Sequence, residues 1–315
     1  MDKKIPISQM TAWLLAAVIG PVFCVVGQDG WTAVLPVCVV CGVVSACALR
    51  YGSNEMPRWL CALEWLWLAI FLGVTAQQSA TCWEDAGDGS AVGIMLLILA
   101  ALAAQQGANR GARVGATLTW LILPVLGIVL LAGTTEINLE WIRRESEMPK
   151  SSLPLLLLLP CLAVFLPLER KRVKRWLIPV LVLVTFGASV LLDAIMGESI
   201  IKNAPNSFYE YSKGITLFDV AERFEALVAC VLTAGWVSLF TILLSAAYHL
   251  TEKIFDGAGK SGVWLCAVAG GALMCILHID TQWTVVGTLI FWGFLPVLTQ
   301  GIENVKKSKK SKNSP

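Results

Sequence analysis

Charge is scarce in this chain of 315 residues: Asp, Glu, Lys and Arg make up 15% of it, against about 25% in a soluble domain. With 57% hydrophobic residues, that shortage excludes a disordered chain and an ordinary cytosolic enzyme. Histidine is scarcer still. His249 and His278 stand near opposite ends of their apolar segments and cannot form a metal cluster together. The loops are poor in cysteine. Of the ten, all but Cys82 lie inside apolar segments, where they act as small hydrophobes, so a disulfide framework is not expected. Cys38-Val39-Val40-Cys41 has the spacing of a metal or redox pair, but it lacks a second pair and lies at lipid depth. There is no nucleophile elbow, P-loop, metalloprotease motif or glycine fingerprint, so neither an enzyme nor a cofactor is expected. A net charge of +2 gives no field to attract nucleic acid.

Long apolar runs fill the chain instead. A bilayer-spanning helix needs about 20 apolar residues, and backbone groups in lipid must be satisfied internally, so such runs are helices. Ten candidates follow. The first half holds Ser8–Val26, Trp31–Leu49, Trp59–Gln78, Ser90–Gln106 and Val114–Gly133. The second holds Ser151–Leu168, Trp176–Met196, Leu217–His249, Gly262–Ile279 and Gln282–Gln300. The first run lacks a small-residue cleavage site, so it is read as a retained span and not a signal peptide. The expectation is an all-α integral membrane protein with a single permease-like domain over 1–300. Halves at 8–133 and 151–300 would be followed by a disordered, lysine-rich tail over 301–315. Five spans per half would invert the halves in the membrane, a transporter plan suggested by counting alone.

The loop charges set the orientation. Alternate loops and ends collect 18 of the 24 basic residues, including Arg170, Lys171, Arg172, Lys174, Arg175 and the tail lysines; the other set holds 6 of the 24. By the positive-inside rule the richer set, with both termini, is cytoplasmic. The tail reads as a solvated anchor against anionic membrane lipids.

A few features depart from plain apolar spans. Ile19-Gly20-Pro21 lies near the middle of the first span. Proline removes a backbone donor and glycine permits unusual dihedrals, so the pair either breaks the helix or kinks it. The sixth span carries Pro154, Pro160 and Pro167. Breaks at corresponding positions of two halves point to a substrate site, and Ile19, Gly20, Pro21, Pro160 and Cys161 are its candidate lining. The sixth span has almost no polar side chain, so a ligand there would meet backbone and Cys161.

Glu64 lies about a turn and a half into the third span. A carboxylate inside a membrane is costly and marks either coupling to a proton or ion, or a structural ion pair. The eighth span opens with Asp219, Glu222, Arg223 and Glu225. Glu222, Arg223 and Glu225 point in different directions around a helix, so at least one turns toward protein; they are candidates for coupling or an ion pair.

Three stretches resemble the spore germination permease family, the B subunits of germinant receptors in the amino acid–polyamine–organocation superfamily. They are Ile7-Ser8-Gln9 with Gln28-Asp29-Gly30-Trp31; Ile215–Leu227, above all Glu222-Arg223-Phe224-Glu225-Ala226-Leu227, followed by Trp236 and the helix to Tyr248; and Phe165-Leu166-Pro167 before the basic loop. The resemblance implies inverted five-helix repeats with helices 1 and 6 broken around a central site. It implies an amino acid or similar small germinant as ligand. It also implies an A-type membrane subunit and a C-type lipoprotein as partners, in a spore inner membrane. Two alternatives stand beside it: a proton- or sodium-coupled amino acid transporter, with Glu64 or Glu225 as coupling group, and a non-transporting membrane scaffold.

Overall fold

The computed structural model describes residues 4–25, 31–51, 56–84, 88–133, 137–141, 153–167, 174, 176–197, 206–214, 224–276, 281–299 and 301. Among them every regular element is helical. The helices are α1 (Ile7–Val25), α2 (Trp31–Tyr51), α3 (Arg58–Thr81), α4 (Gly89–Ala104), α5 (Ala108–Gly133), α6 (Leu153–Leu156), α7 (Leu177–Met196), α8 (Ser207–Lys213), α9 (Phe224–Ile254), α10 (Gly259–Ile276) and α11 (Thr281–Thr288). Seven of these are long and apolar enough to cross a membrane: α1, α2, α3, α5, α7, α9 and α10. Gly89–Ala104 and Trp283–Thr299 are shorter apolar helices. Local chemistry sets the length of α4. The Asp88 carboxylate accepts from the N–H groups of Ser90 and Ala91 at its start, and Gly107 turns the chain at φ 96° just after its end.

The outside of the bundle is apolar. Trp120, Leu131, Leu183 and Ile276 are among its most exposed side chains, as suits a lipid-facing surface. The inside is built around α9, which packs against α1, α3, α4, α5 and α10 and buries an almost continuous run from Leu239 to Ala247.

The sixth segment is broken, as its prolines imply. One helical turn at Leu153–Leu156 gives way to a 3-10 stretch over Leu159–Val164. Leu158 N–H donates to Leu155 O, and Cys161 N–H to Leu158 O, so Leu157 O loses its α-helical donor. The hydroxyl of Ser45 on α2 supplies the replacement at 2.7 Å. Freed backbone at membrane depth is tolerated only where protein receives it in this way.

The first helix corrects its expectation. It stays α-helical from Ile7 through Pro21 to Val25, and the break placed at Gly20-Pro21 is absent. The glycine serves packing instead. A Cβ on Gly20 would stand 2.5 Å from Gly235 Cα on α9, and one on Gly235 would stand 2.6 Å from Gly20 Cα. Two small residues let the backbones meet, which fixes the crossing of α1 over the central helix.

Contacts at the helix ends define two faces. On the first, Ile5 N–H donates to Pro167 O, and Trp264 at the start of α10 donates to Gln105 at the end of α4. On the second, Cys82 after α3 reaches Cys24 of α1, and Asn138 after α5 donates to Ala194 O of α7. The short helix α8 also sits on the second face, with Phe208 against Phe23 at 4.7 Å and Tyr209 against Trp83 at 5.6 Å between ring centroids.

Candidate functional site

The candidate residues lie on α3 and where α2 packs on the broken sixth segment. Glu64 is six residues after Arg58, about 9 Å along α3 from the first face. It is fully buried, and neither carboxylate oxygen has a hydrogen-bond partner among the described residues. It lies within electrostatic reach of Cys61, one turn earlier on α3, and of Cys161 on the sixth segment. Cys161 in turn donates from Sγ to Ser45 Oγ at 3.5 Å, the hydroxyl that satisfies Leu157 O. Pro160 and Cys161 are wholly enclosed. Cys161, Ser45 and Leu157 O therefore form one buried hydrogen-bonded group.

Ile19, Gly20 and Pro21 are also buried, and α1 packs on both parts of the sixth segment. Gly20 itself faces Gly235 and is filled by that contact. Glu225 stands half-buried in the first turn of α9, where a negative charge suits the helix dipole. Glu222 and Arg223 lie outside the described residues.

One turn beyond Glu64, α3 meets the tenth segment. The Trp67 indole donates to Thr288 Oγ1 at 3.2 Å and stacks on Phe291 at 5.0 Å. Gly287 makes room for it, since a Cβ there would overlap the Trp67 ring. Phe71 lies 4.5 Å from Trp292. The facing stretch, Leu289–Phe294, is a π-turn. Pro296 follows it and cannot donate to the carbonyl of Trp292, and π-turns recur at functional positions.

A second polar feature was not singled out in the sequence. Thr185, Ser189 and Asp193 are spaced i, i+4, i+8 on α7, so they share one face, and all three are fully buried. The Thr185 and Ser189 hydroxyls have no partner among the described residues. The rule that picked out Glu64, a carboxylate inside a span, applies equally to Asp193. Glu64 lies near the first face and Asp193 near the second.

No family model matches this chain, and no curated protein does. Solved structures do match. One is the nucleobase-cation-symport-1 family transporter Mhp1, in a closed conformation with bromovinylhydantoin bound. It aligns with a TM-score of 0.55 at 12% identity, over 91% of this chain and 76% of that one. At that identity the likeness is one of fold. The chain thus shares the fold of that transporter, with seven helices long and apolar enough to cross a membrane; this is the all-α class expected from the sequence, save that helix 1 is unbroken.

Proposed function

We propose that this protein is a secondary transporter of a small organic solute, with Glu64 as the group that carries the coupling proton. The supporting observation is the burial of Glu64 with neither oxygen partnered among the described residues. An isolated ionised carboxylate in such a place costs several kcal/mol. Glu64 is therefore neutralised, by a proton or a bound cation, whenever the bundle is closed around it. When water reaches it, that occupant leaves, which is the behaviour a coupling group needs. In this reading the irregular backbone of the sixth segment and the Cys161 thiol, enclosed beside a wall of leucines in this structure, meet the solute when the bundle opens. That suits a small solute recognised through backbone groups, such as an amino acid or a hydantoin of the kind Mhp1 holds. The face richer in basic loops is the cytoplasmic one in this reading.

The test is uptake into proteoliposomes under an imposed pH gradient. Solutes are first chosen by thermal shift across a panel of amino acids and hydantoins. The wild type should show saturable uptake driven by the gradient, and E64Q should bind solute but lose the dependence on pH. Gradient-driven uptake unchanged in E64Q removes Glu64 from the mechanism. Neither binding nor uptake of any panel member defeats the transporter reading.

A second reading rests on the resemblance at Gln28-Asp29-Gly30-Trp31 and Glu222–Leu227. In it the same fold senses an amino acid germinant in a spore membrane beside an A-type subunit and a C-type lipoprotein. Co-purification of those subunits, with ligand binding but no net uptake, would favour it over transport.

A further inference from the structure

We infer that the first face carries a binding site for the headgroup of an anionic phospholipid, held by Arg110 and Lys260. A cavity of about 470 Å³ opens there, lined by Gln105, Gln106, Arg110 and Lys260. It sits between the α4–α5 turn and the start of α10. Two hydrogen bonds organise it. Gln106 Oε1 accepts from Arg110 at 2.9 Å, and Gln105 Oε1 accepts from the Trp264 indole at 3.1 Å. Each amide oxygen is already engaged by a donor, and the four side chains have N–H donors and two positive charges left to offer. Such a lining selects an anion with several acceptor oxygens, as a phosphate has.

One acid of the turn before α10, Glu252, is already used. Its two oxygens accept from the N–H groups of Gly257 and Gly259 at 3.1 and 2.9 Å, closing the turn before α10. The remaining carboxylate of that turn is Asp256, on its exposed side.

Position argues for a lipid as the source of the phosphate. Trp264 marks the interface, where aromatic side chains gather at the headgroup level. Immediately below it, Leu265 and Val268 on α10 and Ile98 and Leu102 on α4 are exposed. The two helices are packed neighbours. A headgroup in the cavity therefore has apolar helix surface on both sides for its acyl chains. Basic pockets between membrane helices bind anionic headgroups by this combination. The site is separate from Glu64 and does not depend on the transporter reading.

The experiment is native mass spectrometry of the detergent-purified protein with phosphatidylglycerol, phosphatidylcholine or inorganic phosphate added, each paired with thermal melting. Phosphatidylglycerol should be retained and raise the melting temperature, and phosphatidylcholine should do neither. The R110Q/K260Q double variant should lose about tenfold in phosphatidylglycerol affinity with its melting in phosphatidylcholine unchanged. K260Q alone, at an exposed helix start, replaces the double variant if that one folds poorly. Equal retention of the two lipids, or retention indifferent to the substitutions, overturns the proposal. Stabilisation by inorganic phosphate with no preference for phosphatidylglycerol overturns the lipid assignment in favour of a free anion.

Discussion

Gly20 of α1 and Gly235 of α9 cross with their backbones in contact, so close that a Cβ on either would fall 2.5 or 2.6 Å from the other's Cα. The neighbour at this crossing is backbone, which cannot swing aside as a side chain can. Alanine at either position must push the two helices apart. G20A and G235A should each destabilise the protein by about 1–3 kcal/mol, the usual cost of overpacking, despite the better helix propensity of alanine. Thermal melting in detergent measures it. A melting temperature equal to or above the wild type would mean that the helices do not meet there.

Ser45 holds the broken sixth segment chiefly by donating from its hydroxyl to Leu157 O, and the same hydroxyl accepts from Cys161 Sγ. S45A leaves that carbonyl buried without its donor and should cost about 1–3 kcal/mol. S45T keeps a hydroxyl and should recover part of the loss. Denaturation of the two variants side by side separates the hydrogen bond from the change in volume. Equal stability of S45A and wild type would show that the carbonyl finds another donor.

These two contacts show what could and could not be read from the chain. The break in the sixth segment was legible, because Pro160 removes a donor in the middle of an apolar run already bounded by Pro154 and Pro167. The partner that makes the break tolerable, Ser45, was not, because nothing local marks which distant hydroxyl turns toward Leu157 O. Gly20-Pro21 has the same local signature whether a helix unwinds or packs closely. Gly235 decides between them, and that pairing is tertiary. Glu64 was legible because a carboxylate within an apolar run needs an explanation in any fold. Asp193 carries the same signal, strengthened by Ser189 and Thr185 at helical spacing. The π-turn at Leu289–Phe294 left no mark beyond Pro296.

Glu64 should trade stability for function. Its oxygens are buried without partners among the described residues, so a side chain of similar volume and no polarity removes an unmet demand. E64M should leave the protein as stable as the wild type or more so, by up to about 3 kcal/mol, while abolishing gradient-driven uptake. Melting curves and uptake are read on the same preparation. A clear loss of stability in E64M would instead mark Glu64 as one half of a structural ion pair.

On the second face, Cys24 and Cys82 are 1% and 4% exposed, and α8 lies over this end of the bundle. The helix is held by ring contacts, Phe208 on Phe23 and Tyr209 on Trp83, and by the Asn206 side chain accepting from Tyr209 N–H at its start. It packs on α1, α7 and α9 together. Seven residues cannot hold a helix by backbone bonds alone, so its attachment depends on those side chains. Removing the Phe208 ring should loosen α8 without disturbing the spans, and thiols beneath it should then react. F208A should speed labelling of Cys24 and Cys82 by a water-soluble maleimide by about tenfold, the change expected when local opening costs about 1.4 kcal/mol less. Cys266, fully buried in α10, is the control and should stay unlabelled. Faster labelling of all three would indicate general unfolding. No acceleration at Cys24 or Cys82 would mean that α8 does not cover this end of the bundle.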